Sequence, residues 1–260
     1  MLFMNIAIIT GASSGIGWEF AGRLDSLLKK TDEIWLLARR KDKLDELSAQ
    51  MKIKTRAIAM DLTSEKELVQ FAEVLSIANA KITVLVNCAG TGKYGAFCGM
   101  AGSEMNEMLR LNILAATEMT RLCLPYMRKG SRIIALASGA AFVPQADFAV
   151  YAASKAYVYS FSRALEHELR GQGIHVTTVC PGPVDTPFLE KAYDSPAHMG
   201  GLKKLTMVST KQVVETALRD SLHDKSVSVC GLPMKLLYLA TQSVPNGLQI
   251  LMRQTAKELS

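Results

Sequence analysis

Apolar residues along the chain follow two alternating rhythms. Short β-branched and aliphatic runs, MNIAII, EIWLLA, IKTRAIAM, ITVLVN, RIIALAS, IHVTTVC and KSVSVC, are separated by longer stretches of helical period. The runs read as strands, and the stretches as helices over residues 15–30, 41–51, 64–80, 103–128, 151–170 and 211–223. The runs are apolar enough to be covered on both faces, and regular βα alternation predicts an α/β fold: a doubly wound parallel sheet with helices on both sides. Ligands of such sheets bind at the carboxyl ends of the strands, near the point where the strand order reverses.

Two segments interrupt the alternation. PGPVDTPFLEKAYDSPAHMGGLKKLTMVST, rich in breakers, is far longer than an ordinary connection and reads as a substrate lid over 183–210. The tail over 231–260 carries an apolar segment, a Pro-Asn-Gly break and an amphipathic pattern. It could cover a pocket, bury a subunit interface or rest on a membrane surface. With 260 residues and no linker or repeat, a single domain over 1–260 is expected.

Composition narrows the function classes. Hydrophobic residues make up 49% of the chain, which argues against disorder. The net charge of +6 is scattered among acids, without a basic stripe interleaved with aromatics, so no nucleic-acid partner is expected. The five cysteines, Cys88, Cys98, Cys123, Cys180 and Cys230, form no CxxC pair, and the histidines stand at no metal-ligand spacing. No disulfide framework and no metal site is expected, and a reducing cytoplasm fits. MLFMNIAIITG is too short and lacks the basic start of a signal peptide, and no run reaches membrane-span length, so membrane contact is not expected.

Candidate chemistry begins at the first strand. IAIITGASSGIGWEF joins a strand to a helix through Gly11, Gly15 and Gly17. Such a turn lets backbone approach a pyrophosphate closely, and the helix start offers free N–H groups. The second strand ends in WLLARRKDKL, with arginines where an NAD-selecting site would place an acid. Arginine suits a 2′-phosphate, so NADP (NADPH) is the expected cofactor, with Arg39 the primary contact and Ser13 a helper; two solvated arginines at a helix start are the alternative. Further on, Tyr151 and Lys155 stand four residues apart on one helical face. A lysine there would favour phenolate and lower the tyrosine pKa, although an ordinary amphipathic helix could carry the same pair. Asn112 falls on an apolar helical stripe with Met105, Met108, Ala115 and Met119, where a satisfied core asparagine is one reading, and Ser138 closes a strand thirteen positions before Tyr151, where an ordinary turn residue is another.

These motifs, in this order, resemble the short-chain dehydrogenase/reductases of the single-domain type, over nearly the whole chain up to about Cys230. TGASSGIG matches the family's TGxxxGxG, Asp61 in AMDLTS its adenine-holding aspartate, and NCAG its NNAG, with Cys88 a departure. The resemblance implies a Rossmann-like seven-stranded sheet. It implies cofactor contacts from Gly11, Ser13, Ser14, Gly15, Ile16, Gly17, Arg39, Asp61, Leu62, Asn87, Ala89, Gly90, Tyr151, Lys155, Pro181, Gly182, Val184 and Thr186. It implies catalysis by Asn112, Ser138, Tyr151 and Lys155: Ser138 holding a carbonyl oxygen, Tyr151 delivering a proton, Lys155 tuning Tyr151 and bonding the nicotinamide ribose, and Asn112 holding a water beside Lys155. A homodimer or homotetramer through the helices over 103–128 and 151–170 is likewise implied. The lid residues Phe188, Leu189, Tyr193, Met199, Leu202, Leu205 and Met207 suit an apolar substrate such as a 3-oxoacyl thioester or a steroid, or else simply pack the lid. The expected activity is hydride transfer between nicotinamide and a carbonyl or secondary alcohol. A non-catalytic NADP-sensing regulator on the same fold, or a lipid-surface protein using its tail, are the other classes.

Overall fold

The computed structural model describes residues 3–193 and 207–243. Seven parallel strands, β1 (Met4–Thr10), β2 (Glu33–Ala38), β3 (Thr55–Ala59), β4 (Ala80–Asn87), β5 (Met127–Leu136), β6 (His175–Val179) and β7 (Val227–Ser228), form one sheet in the order β3-β2-β1-β4-β5-β6-β7. This is the doubly wound, Rossmann-like arrangement expected of the apolar runs. The order reverses between β1 and β4, the point at which ligands of such sheets bind.

Side chains alternate across each strand, so an uninterrupted apolar run supplies two cores. Ala7, Ile9, Ile34, Leu36 and Val86 face one layer, with Phe20, Ala21 and Leu24 of helix α1 (Gly15–Leu27) and Val213, Val214 and Ala217 of α8 (Thr210–Leu222). Ile6, Ile8, Trp35, Leu37 and Leu85 face the other, beneath α3 (Glu65–Ile77), α5 (Ala116–Cys123) and α6 (Ala149–Arg170). Helix α2 (Lys41–Ser48) and a helix α4 (Gly102–Leu109) complete the layers, with α7 (Pro187–Tyr193) and α9 (Leu232–Ser243) lying over the strand ends described below. The start of α8 is set by a reciprocal cap, Ser209 accepting from Gln212 N while the Gln212 side chain accepts from Ser209 N.

The expected helix over 103–128 is broken up. After α4 comes a π-helical turn, Arg110–Ala115, then α5, a 3₁₀ turn at Leu124–Tyr126, and β5 already at Met127. Pro125 has no N–H to extend the helix, and Met127 pairs with Ile82 of β4, so sheet pairing overrides helical period there. The final strand is only two residues long against the six expected.

Of the expected lid, α7 and the return at Val208 are described. A parallel bridge between Val184 and Val208 closes its base, with Val208 N donating to Pro183 O at 3.1 Å. Met199, Leu202, Leu205 and the tail over 244–260 lie outside the described residues. Among the described residues no helix is long and apolar enough to cross a membrane, and no group of histidine, cysteine and acidic side chains could hold a metal ion.

Candidate active site

A cleft of about 1140 Å³ runs along the carboxyl ends of the strands. Its first wall is the glycine turn after β1. Thr10 Oγ1 donates to Val86 O and accepts from Cys88 N and Ala89 N at 3.0 and 3.1 Å, pinning the end of β1 to β4. Gly11 (φ +68°) leaves no room for a side chain, since a Cβ would stand 2.9 Å from the Ala89 backbone. A Cβ on Gly17 would stand 2.3 Å from Gly11 O. The turn is therefore a backbone cradle, and Ser14, at the N-cap of α1, makes no side-chain cap, which leaves the first N–H groups of the helix facing the cleft. These features fit a dinucleotide pyrophosphate.

At the end of β2 the structure separates the two arginines. Arg40 clasps Ser13, with Nη2 3.1 Å from both Ser13 O and Ser13 Oγ. Arg39 instead lies 3.8 Å from Glu107, which also accepts from Lys191 of α7 at 3.2 Å. Both arginines line the cleft, but the helper Ser13 belongs to Arg40, which sequence reasoning did not single out. Asp61 lines the cleft as well. Burial opposes its charge, yet hydrogen bonds from Thr63 N and Oγ1, with Arg39 nearby, hold the carboxyl below its usual range. Leu62, Ala89, Gly90, Pro181, Gly182, Val184 and Thr186 also line the cleft, as do Ser14, Gly15 and Ile16. Asn87 is placed differently: its amide turns toward α5 and donates to Thr120 Oγ1 at 2.8 Å and to Ala116 O.

Tyr151 sits in the first turn of α6, 7% exposed, stacked on Phe148 with ring centroids 4.3 Å apart. Its phenol is neighboured by Ser138, whose Oγ accepts from Ala140 N at 3.1 Å. Lys155 lies one turn on, 3% exposed, with Nζ donating to Leu136 O at 2.8 Å and standing 5.9 Å from the Tyr151 ring centre. The expected lowering of the tyrosine pKa is not what the structure shows. Burial pushes Tyr151 up to about 12, outweighing the lowering influence of Ser138, and burial likewise brings Lys155 down to about 8 against the opposing influence of Cys88 and Cys180. Desolvation dominates because both groups are enclosed and the ammonium is aimed at a carbonyl, not at the phenol oxygen.

Asn112, buried in the π-helical turn, uses both amide hydrogens and one acceptor site of its carbonyl oxygen. Oδ1 accepts from Thr91 N, and Nδ2 donates to Thr91 O and Ser154 Oγ, all at 2.9 Å. Ser154 Oγ in turn donates to Tyr151 O at 2.7 Å. The side chain thus ties the loop after β4 to the first turn of α6 and positions the tyrosine. A Cβ on Gly90 would stand 3.1 Å from Asn112 Oδ1 and 3.2 Å from Lys155 Nζ, so glycine lets these groups close over the cleft floor. Ser154 and Thr91 escaped sequence reasoning; a serine directly before the lysine was the one available signal.

A model of the short chain dehydrogenase family matches residues 5–197. The chain belongs to that family. The dehydrogenase is 30% identical over 221 residues to an uncharacterized oxidoreductase of Staphylococcus epidermidis, covering 84% of this chain and 93% of that one. It is 32% identical over 185 residues to the human very-long-chain 3-oxoacyl-CoA reductase, covering 67% of this chain and 58% of the reductase. Among solved structures, a short-chain dehydrogenase from Sphingobium yanoikuyae, in complex with NADPH, superposes with a TM-score of 0.78 at 25% identity, over 96% of this chain and 95% of that one. One from Streptomyces avermitilis gives 0.81 at 24% identity over the whole of both chains, a likeness of fold. The dehydrogenase is accordingly an oxidoreductase, and Ser138, Tyr151 and Lys155 line the same cleft as the glycine cradle.

Proposed function

We propose that the protein is an NADP(H)-dependent reductase that interconverts a ketone and a secondary alcohol on an apolar substrate. The observation that carries this reading is the buried phenol of Tyr151, neighboured by Ser138 and followed one turn on by Lys155, at the cleft shared with the glycine cradle. Bound there, the nicotinamide would supply or take up the hydride. Gly11, Gly17 and the start of α1 would hold the pyrophosphate, Asp61 the adenine end, and Lys155 the ribose.

The chain's own residues then handle the oxygen and the proton. Ser138 Oγ and Tyr151 Oη hold the carbonyl oxygen in place. Tyr151, raised to about 12, stays protonated at neutral pH and is set up to donate from Oη. Lys155, at about 8, is mostly cationic at pH 7 and offsets the negative charge left on the phenol once its proton has gone. Asn112 and Ser154 keep the first turn of α6 in register with β4.

NADP is favoured by the Arg40–Ser13 clasp at the rim of the cradle, with Arg39 beside it, and by the NADPH complex of the Sphingobium relative. An apolar substrate is supported by the wall of Phe148, Phe188, Leu189 and Tyr193 around Tyr151, and a 3-oxoacyl thioester by the likeness to the human reductase. The test is NADPH consumption by purified protein with ketosteroids, 3-oxoacyl thioesters and simple ketones, beside Tyr151→Phe. The expected result is turnover that falls by roughly 10²- to 10⁴-fold in the variant while NADPH binding persists. Turnover surviving in Tyr151→Phe would overturn the mechanism.

A further inference from the structure

We infer that Met234 of α9 is a specificity-determining residue: its thioether walls the substrate end of the cleft beside Ser138 and limits the bulk accepted on that side of the carbonyl. The inference rests on the reductase reading above. Gly139 follows Ser138, and its N–H donates to Pro181 O at 2.8 Å, so this peptide is pinned against the loop after β6. On its remaining side lies Met234: a Cβ at Gly139 would stand 2.2 Å from Met234 Cε. Met234 is only 8% exposed, yet with Pro233 and Leu237 it lines the same cleft as Ser138 and Tyr151.

The helix that carries it is anchored away from the cleft. Tyr238, one turn on, packs on Phe142 with centroids 5.0 Å apart, and Phe142 meets Tyr159 edge-on at 5.8 Å. Met234 also packs with Ala137, Val158 and Cys180. A fixed helix therefore presents one flexible, polarizable side chain to the reacting centre, a side chain suited to shaping an adaptable apolar wall. Residues 232–243 lie beyond the 5–197 matched by the family model, so this wall is supplied by a part of the chain outside the shared core.

The probe is a set of isomeric long-chain ketones in which the carbonyl moves inward from the chain end, enlarging the smaller substituent one methylene at a time. Each methylene admitted or refused by an apolar pocket changes kcat/KM by roughly 10-fold or more. Met234→Ala should shift the profile toward inner ketones by about that factor, Met234→Phe toward terminal ones, and Met234→Leu should keep the wild-type profile. Ratios between ketones within one variant are independent of how much of that variant is folded, so a merely structural loss would not move them. Tyr151→Phe serves as the control on the underlying reading. Turnover lost in that variant, with the same profile in Met234→Ala and Met234→Phe as in wild type, overturns the inference alone. No turnover of any ketone by the wild type, or turnover that survives in Tyr151→Phe, overturns it together with the reading beneath it.

Discussion

Replacing Lys155 by methionine should stabilise the protein without cofactor while abolishing its activity. The ammonium is almost fully buried, and its pKa falls from the ordinary 10.5 to about 8. Between those values the unfolded chain holds a proton that the folded protein has released, so the lysine weakens folding most below pH 8 and the deficit shrinks as pH rises through the window. A shift of that size corresponds to about 3 kcal/mol at pH 7 and about 2 kcal/mol at pH 9. Methionine is close in length and apolar, but it forfeits the hydrogen bond to Leu136 O, which is worth about 1 kcal/mol. The variant should therefore be more stable by about 2 kcal/mol at pH 7 and by about 1 kcal/mol at pH 9. Urea unfolding of both proteins at the two pH values measures this difference. The buried thiols of Cys88, Cys123 and Cys180, all pushed up by burial, titrate in both proteins and largely drop out of the comparison. A variant less stable than wild type at pH 7, or a difference that does not change with pH, would refute the reasoning.

Arg40→Ala should weaken NADPH binding by roughly 10- to 100-fold, the worth of lost charge-assisted hydrogen bonds, and leave NADH unchanged, as read by fluorescence titration. If Arg39→Ala produces the selective loss and Arg40→Ala does not, the assignment made from the Ser13 clasp is wrong. Gly17→Ala puts a methyl 2.3 Å from Gly11 O, so the cradle has to move. Binding of both NADPH and NADH should fall by more than about tenfold, with about 1–3 kcal/mol of stability lost to overpacking in thermal or urea unfolding. Unchanged affinity for both cofactors would show that the cradle is not where the dinucleotide sits.

Much of this molecule is local in the sequence. The strands are uninterrupted apolar runs because a sheet covered on both sides buries both faces of each strand, so β1, β2 and β4 are legible from composition alone. The cradle is legible because Gly11 and Gly17 answer to backbone within a few residues or on the adjoining strand, and only glycine fits. The tyrosine and lysine spacing needs nothing beyond helical geometry. What escaped depends on partners distant in the chain. Pro125 ends a helix, but the early start of β5 is set by pairing with Ile82. The side-chain commitments of Asn112 to Thr91 and Ser154, and of Asn87 to Thr120, exist only once α4, α5 and α6 are packed on the sheet.

The sequence by itself determined the alternation of elements, the phosphate cradle and the acid with its neighbouring cation, because each is written in spacings of a turn or a strand. Only the tertiary structure decided which arginine meets Ser13, the sign of the shift on Tyr151, and the presence of Met234 beside Ser138. Those depend on which surfaces enclose a group, and enclosure sets desolvation and contact through neighbours far away in the chain, as Met234 is from Gly139.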